Sequence, residues 1–292
     1  MRLFDLFGKN RIEPTWQYRA KSWLWHLRPT DAGAIVGEER DPVRKVVTFF
    51  SVNRDTGAVF WRDASFVDQW WTGIEAVHRD MLFLHGFVTP ELPQHRGITA
   101  VDLVTGRKLW ERPELRFAGA RDDRLLAAEG NPASERLCSI SRATGQTEAW
   151  VGTEDALKFA DQSAELNEPM HFPVPVEAVA AIDPSIEACV RTRLAGVQVA
   201  GPISVLVHGA RCVISFHEHV NFPDVRKPHY NNILMVVDRK AEKVVFSMIL
   251  DAGIGSLVPE PFFVQRNTLF CIRERRTLLA LPLGGHHNPS AI

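Results

Sequence analysis

Three segments of this chain echo one another, and the echo narrows the architectures open to it. Phe50-Ser51-Val52-Asn53-Arg54-Asp55-Thr56-Gly57-Ala58-Val59-Phe60-Trp61 returns as Thr99-Ala100-Val101-Asp102-Leu103-Val104-Thr105-Gly106-Arg107-Lys108-Leu109-Trp110. With one residue inserted it returns again as Ser139-Ile140-Ser141-Arg142-Ala143-Thr144-Gly145-Gln146-Thr147-Glu148-Ala149-Trp150. Each copy reads as an apolar strand, a Thr-Gly turn and a second strand ending in Trp. Gly57, Gly106 and Gly145 follow one another at 49 and 39 residues. Strand pairs recurring at roughly 40–50 residues mark small sheets arrayed radially, as in a β-propeller. A degraded fourth copy, Leu234 to Phe246, keeps the Asp (Asp238) but has Glu242 where Gly stood.

The expectation is therefore an all-β chain forming a single β-propeller of about six four-stranded blades, with five and seven as alternatives. Gly73–His78, Met81–Val88, Gly97–Leu103 and Lys108–Arg112 read as one complete blade, and Leu115 to Val151 holds another. The last strands, from Phe262 to Leu283, lack a fourth member. Trp23-Leu24-Trp25-His26-Leu27 carries the pattern of a Trp-bearing outer strand and is expected to close the array on the C-terminal blade, because an open edge invites aggregation. Residues 153–168 read as a helical insertion, since Thr153 can cap and Glu154 and Asp155 suit the positive helix end. Residues 169–200 are assigned to a degenerate blade, although Asp183-Pro184-Ser185-Ile186-Glu187 can also open a helix. The propeller is expected over 15–283, with 1–14 and 284–292 as flexible ends.

Of 292 residues, 45% are hydrophobic and 24% charged, which provides for a sizeable core. Lys and Arg total 34 against 35 Asp and Glu, leaving a formal charge of −1. That balance lacks the broad positive field of a nucleic-acid binder. The four cysteines, Cys138, Cys189, Cys212 and Cys271, form no C-x-x-C pair and read as free thiols, mostly in apolar runs. The start of the chain is too charge-interrupted for a signal peptide, and no run reaches the length of a membrane span. A cytoplasmic protein without stable membrane insertion is expected.

The pattern Ala100-Val101-Asp102-Leu103-x-Thr105-Gly106-x-x-Leu109-Trp110 resembles the blade signature of the pyrroloquinoline-quinone-type repeat propellers. The resemblance implies a Thr-Gly turn between the two outer strands and a Trp packed between blades. It does not carry the quinone. The dehydrogenases of that superfamily hold it with calcium above an adjacent-cysteine disulfide, and this chain has no Cys-Cys pair. No cofactor is expected. Other members of the superfamily are non-catalytic scaffolds that bind polypeptide. The chain is also similar to an uncharacterised bacterial family of unknown function, through Trp70-Trp71-x-Gly73-Ile74-Glu75 and Leu92-Pro93-x-His95-x-Gly97-Ile98.

No P-loop, G-x-S-x-G or H-E-x-x-H is present. Two constellations remain. Trp70 and Trp71, with Glu75, His85, His95, His229, Tyr230 and Asn231, are the candidate binding residues, suited to a peptide hot spot or to sugar stacking. His217 and His219 stand at i and i+2 of a strand and, with His229, are weak candidates for a metal. The charge runs Arg40–Lys45 and Arg273–Arg276 read as solvated strand ends. A protein- or peptide-binding scaffold is the first expectation, with small-molecule binding also open. A metal-dependent hydrolase or lyase using these histidines is the alternative, and glycan binding through Trp the third.

Overall fold

A computed structural model describes residues 12–66, 70–88, 94–130, 134–160, 169–221, 227–258 and 262–284. The chain divides into two compact units: Ala20–Glu168, and Met1–Arg19 together with Pro169–Ile292. Strand β1 (Trp16–Arg19) belongs to the second unit and the next twelve strands to the first.

The first unit consists of three antiparallel four-stranded meanders. They are β2 (Trp23–Pro29), β3 (Ala34–Asp41), β4 (Val46–Asn53) and β5 (Val59–Ala64); β6 (Gly73–His78), β7 (Met81–Phe87), β8 (His95–Asp102) and β9 (Lys108–Arg112); and β10 (Leu115–Arg121), β11 (Arg124–Glu129), β12 (Arg136–Ser141) and β13 (Thr147–Val151). In each sheet the two middle strands are largely buried and the last strand is the most exposed. Val36, Phe49, Ile74, Leu82, Leu84 and Val101 form the core between the first two sheets, and Phe83, Ile98, Ala100, Leu125, Ala127 and Ile140 that between the second and third. Helix α1 (Thr153–Ala160) follows β13, and the rest of the expected insertion lies outside the described residues.

In the second unit, short strands β14 (Met170–His171) and β15 (Val174–Pro175) lead into helices α2 (Val176–Ala180) and α3 (Pro184–Arg193). Then come β16 (Val199–His208), β17 (Arg211–Val220), β18 (His229–Asp238), β19 (Lys243–Ile254), β20 (Phe262–Gln265), β21 (Thr268–Arg273) and β22 (Thr277–Pro282). One sheet runs β15-β16-β17-β18-β19 and the other β1-β22-β21-β20-β14. The topology is that of a β-propeller: successive up-and-down sheets, the last completed by a strand from the N-terminus. Five such sheets occur among the described residues, the lower of the expected counts.

Two expectations need correction. The strand that completes the C-terminal sheet is β1, with Trp16 opposite Ala280 and Arg19 opposite Thr277, whereas Trp23–Leu27 opens the first sheet. The Trp-bearing pattern is common to both, and register distinguishes them. Residues 169–200 build no sheet of their own. Asp183 caps α3 through the Ser185 N–H at 3.1 Å and Pro184 occupies the first turn, so local capping outweighs the repeat period there. Ile186, Val190 and Leu194 bury the inner face of α3 beside Val176. The N- and C-terminal ends, residues 1–11 and 285–292, lie outside the described residues.

The repeat itself has a physical cause. Asn53 and Asp102 each accept two backbone N–H groups from their own turn, and Gly57 and Gly106 then take positive φ of 71° and 68°. The Trp of one sheet lies on the turn of the next. Trp61 donates its indole N–H to the Leu103 carbonyl at 2.8 Å, and Trp110 to the Arg142 carbonyl at 2.9 Å. A Cβ on Gly106 would stand 2.7 Å from Trp61, and one on Gly145 2.6 Å from Trp110. Trp150 departs from the series. It is 54% exposed, with the Arg136 guanidinium 4.1 Å above its ring. In the fourth copy Asp238 still accepts the Lys240 and Ala241 N–H groups, and Glu242 takes the left-handed conformation, φ 50°.

Gly106→Ala and Gly145→Ala should each cost clearly more than Gly209→Ala, which also has positive φ but nothing within 4 Å of a new Cβ. Backbone strain alone is worth about 1–2 kcal/mol at all three sites, so urea titration should show a further loss only where a Trp must move. Equal losses at the three positions would contradict the Trp–turn contact.

Candidate functional site

Strands β6, β7 and β8 bring three candidate residues together. Gly73 pairs with His85 and Phe87 with His95, while register shifts fall between Ile74 and Ala76 and between Leu84 and Gly86. Bulges re-aim side chains that strict alternation would send elsewhere. Here they leave Glu75 and His85 beside His95. His95 Nδ1 donates to Glu75 Oε2 at 2.7 Å, and the His85 and His95 rings are stacked with centroids 3.5 Å apart and 9° between planes. His85 Nδ1 lies 3.1 Å from the Gly86 carbonyl. A carbonyl only accepts, so Nδ1 carries the proton and Nε2 the lone pair. Burial lowers the His85 pKa, as does the neighbouring His95, against the Gly86 carbonyl and the Glu75 and Glu38 charges.

Aromatic groups wall the cluster. Phe87 stands edge-on to His85 at 5.0 Å and to His95 at 5.3 Å, Trp71 packs against Phe87 at 5.9 Å, and Trp70 meets Trp71 at 6.5 Å. Trp70 is half-buried, with Lys45 Nζ 4.7 Å and Arg40 5.4 Å from its ring centre. Thus Trp70, Trp71, Glu75, His85 and His95 form one neighbourhood.

Beneath it lies a group that the sequence reading passed over. Glu38 is fully buried, and its carboxylate accepts from Arg40 Nε at 2.8 Å, the Ile74 N–H at 2.6 Å and His26 Nδ1 at 3.3 Å. Burial pushes its pKa up, but the His26 hydrogen bond, the Arg40 charge and the Ile74 N–H outweigh it and leave the carboxyl below its ordinary value. Arg40 also reaches the carbonyls of Trp70 and Thr72 at 2.8 and 2.7 Å. It is therefore not the solvated strand end expected from its charge run: it fastens the Trp70–Trp71 segment to the first sheet.

His217, His219, His229, Tyr230 and Asn231 belong to the other unit. His217 Nε2 accepts the Val258 N–H at 3.0 Å, so its lone pair is engaged. His219 lies edge-on to Tyr230 at 5.6 Å, His229 Nδ1 donates to the Lys227 carbonyl at 2.9 Å, and Asn231 accepts the Gly253 N–H at 3.1 Å. Asn232, opposite both His217 and Asp251, links Ser215 at 3.3 Å to Asp251 at 3.4 Å. Burial lowers the His217 pKa and raises that of Asp251. Among the described residues, Glu75, His85 and His95 are the group whose donor atoms, one from each, lie within 4.8 Å of one another. The expected loop face falls partly on residues 89–93 and 222–226, which are outside the described residues.

Other features are less suited to a ligand. A cleft of about 640 Å³ is lined by Arg121, Asp123 and Arg142, and the last two pair with each other. Another of about 800 Å³ is lined by Arg193, Arg239 and Glu242, with Arg193 on the Glu242 carbonyl and Arg239 on Asp183. All four cysteines are free thiols, and burial pushes Cys212 and Cys271 up to about 12, which leaves them inert. No helix among the described residues is long and apolar enough to cross a membrane.

The model of a family described as a domain of unknown function, DUF4905, matches residues 29–110, the stretch that holds Glu38, Glu75, His85 and His95. None of the curated proteins matches the chain. Among solved structures, the chain is similar to the β-propeller domain of Cps50 (Swd1) from Myceliophteria thermophila, at 10% identity and a TM-score of 0.38, covering 94% of this chain and all of that one.

Two stability experiments follow. Glu38→Gln leaves Arg40 without its buried counter-charge and should cost about 3–5 kcal/mol in urea unfolding; a loss under about 1 kcal/mol would contradict the bridging role. His217, with its folded pKa depressed, contributes stability that is complete above the unfolded value of 6.5 and is lost as pH falls through the folded value. Unfolding between about pH 7.5 and 5.5 should show that loss, and His217→Gln, which keeps an acceptor for Val258, should flatten it. An identical slope in both proteins would rule it out.

Proposed function

We propose that this chain is a non-catalytic binding module whose Trp70–Trp71 neighbourhood engages a protein or peptide partner. The observation that carries the reading is a half-buried Trp pair continued by Phe87, held from below by the buried Arg40–Glu38 bridge and flanked by Lys45 and the Glu75–His95 pair. Rigid Trp rings beside paired charges are what protein hot spots use, because they lose little rotamer freedom and offer large area. The likeness of the Thr-Gly…Trp repeat to quinoprotein-type propellers, whose non-catalytic members bind polypeptide, supports the same reading. The near-neutral net charge favours protein over nucleic acid. The free thiols fit a reducing, cytoplasmic setting.

The experiment is capture of a partner from lysate by the full chain, identification by cross-linking, and titration of the purified pair. Trp70→Ala and Trp71→Ala should each weaken binding at least about tenfold, the scale of a hot-spot truncation. Trp150→Ala, in another sheet, should leave it unchanged. Binding untouched by both Trp70→Ala and Trp71→Ala sinks the proposal.

A further inference from the structure

We propose that Glu75, His85 and His95 form a binding site for one divalent transition-metal ion of the zinc class. The proposal goes beyond partner binding: Glu75 and His95 flank the Trp surface, but neither Trp70 nor Trp71 supplies a ligand to the ion. Two imidazoles and a carboxylate are the donor set that zinc, cobalt and iron(II) share, and hard ions such as magnesium and calcium prefer all-oxygen sites. The donors come from three consecutive strands, not from a loop, and their atoms gather within 4.8 Å. Ligand atoms about 2.0–2.2 Å from a zinc ion lie about 3.3 Å apart, so the closing movement is small.

The surroundings prepare the donors as outer-shell groups do in metal proteins, where a ligating His donates its other N–H to a carbonyl or carboxylate. The Gly86 carbonyl holds the His85 Nδ1 proton and leaves Nε2 as the donor. Gly73 lies opposite His85 and has no side chain; a Cβ there would stand 2.8 Å from that nitrogen. Phe87, edge-on to both rings, lowers the local dielectric and strengthens metal–ligand attraction.

The stack sets one further condition. Parallel planes share no point, and an ion bonds to an imidazole nitrogen in the ring plane. Binding therefore turns one ring out of the stack. His95, with its side chain 39% exposed, is the ring that turns, giving up its Nδ1 hydrogen bond to Glu75, whereas His85 is buried. Three protein donors leave a fourth position for water or an outside ligand.

The test uses the tag-free full chain with His286 and His287 replaced by alanine, so that the C-terminal histidines do not compete. Titration with Co(II) should give visible absorption bands saturating at one ion per chain, and Zn(II) should displace the cobalt. His95→Gln and Glu75→Gln should each weaken binding about 10- to 100-fold, with circular dichroism unchanged. His208→Gln, in the other unit, should have no effect. X-ray absorption of the zinc-loaded protein should show scattering from two imidazoles, and it decides the matter if a variant fails to fold. Absence of saturable binding, binding that survives both variants, or a shell of oxygen alone would overturn the proposal.

Discussion

The seating of a tryptophan on the glycine turn of the following sheet is the contact on which the first unit depends. A four-stranded meander with two apolar faces cannot bury both alone, so each sheet needs a neighbour at a fixed height and angle. Apolar packing supplies most of the energy but little direction. The indole N–H of Trp61 on the Leu103 carbonyl, repeated by Trp110 on Arg142, supplies the direction, and the glycine beneath each ring makes the approach close enough. Where α1 follows in place of another sheet, Trp150 is left exposed under Arg136.

The repeat was legible because both partners in this contact leave marks by residue type. A turn with positive φ selects Gly, and the side-chain acceptor that organises it selects Asn or Asp. The fourth copy could be recognised for the same reason: Asp238 still organises the turn although Glu242 must bear the left-handed strain. Strand partnership left no such mark. Trp16–Arg19 and Trp23–Pro29 are both aromatic-bearing strands near the N-terminus, and the choice between them rests on register with Thr277–Ala280, which lies more than two hundred residues away. At 169–200 the Asp183-Pro184-Ser185 cap is a local helix signal that outweighs the repeat period.

The candidate site was legible as residues but not as an assembly. Glu75, His85 and His95 stand out in sequence as ligand-type residues close to the Trp70–Trp71 pair and the loop that follows β7. Their convergence depends on two register shifts, and a bulge changes which face a side chain occupies without requiring any particular residue type. Glu38 and Arg40 were hidden more deeply. A buried carboxylate is recognisable only from its partners, and the Ile74 N–H and Trp70 carbonyl that complete the bridge lie 36 and 30 residues away along the chain. In sequence, Glu38-Glu39-Arg40-Asp41 looks like any solvated charge run.

The two units resolve buried polarity in opposite ways. In the second unit His217 gives its lone pair to the Val258 N–H, and Asn232 ties Ser215 to Asp251, so the row across β17, β18 and β19 is turned inward upon itself. Its residues support one another and thereby support the fold. In the first unit the polar groups form two tiers. Glu38 is held by His26, Arg40 and Ile74, and this tier stitches sheets together. Above it, the hydrogen bonds of His85 and His95 engage Nδ1 on each ring, and the bulged strands hold the rings beside Glu75 at a half-exposed edge. The lower tier supplies rigidity, and in the upper tier the Nδ1 bonds leave Nε2 of each ring as the outward donor.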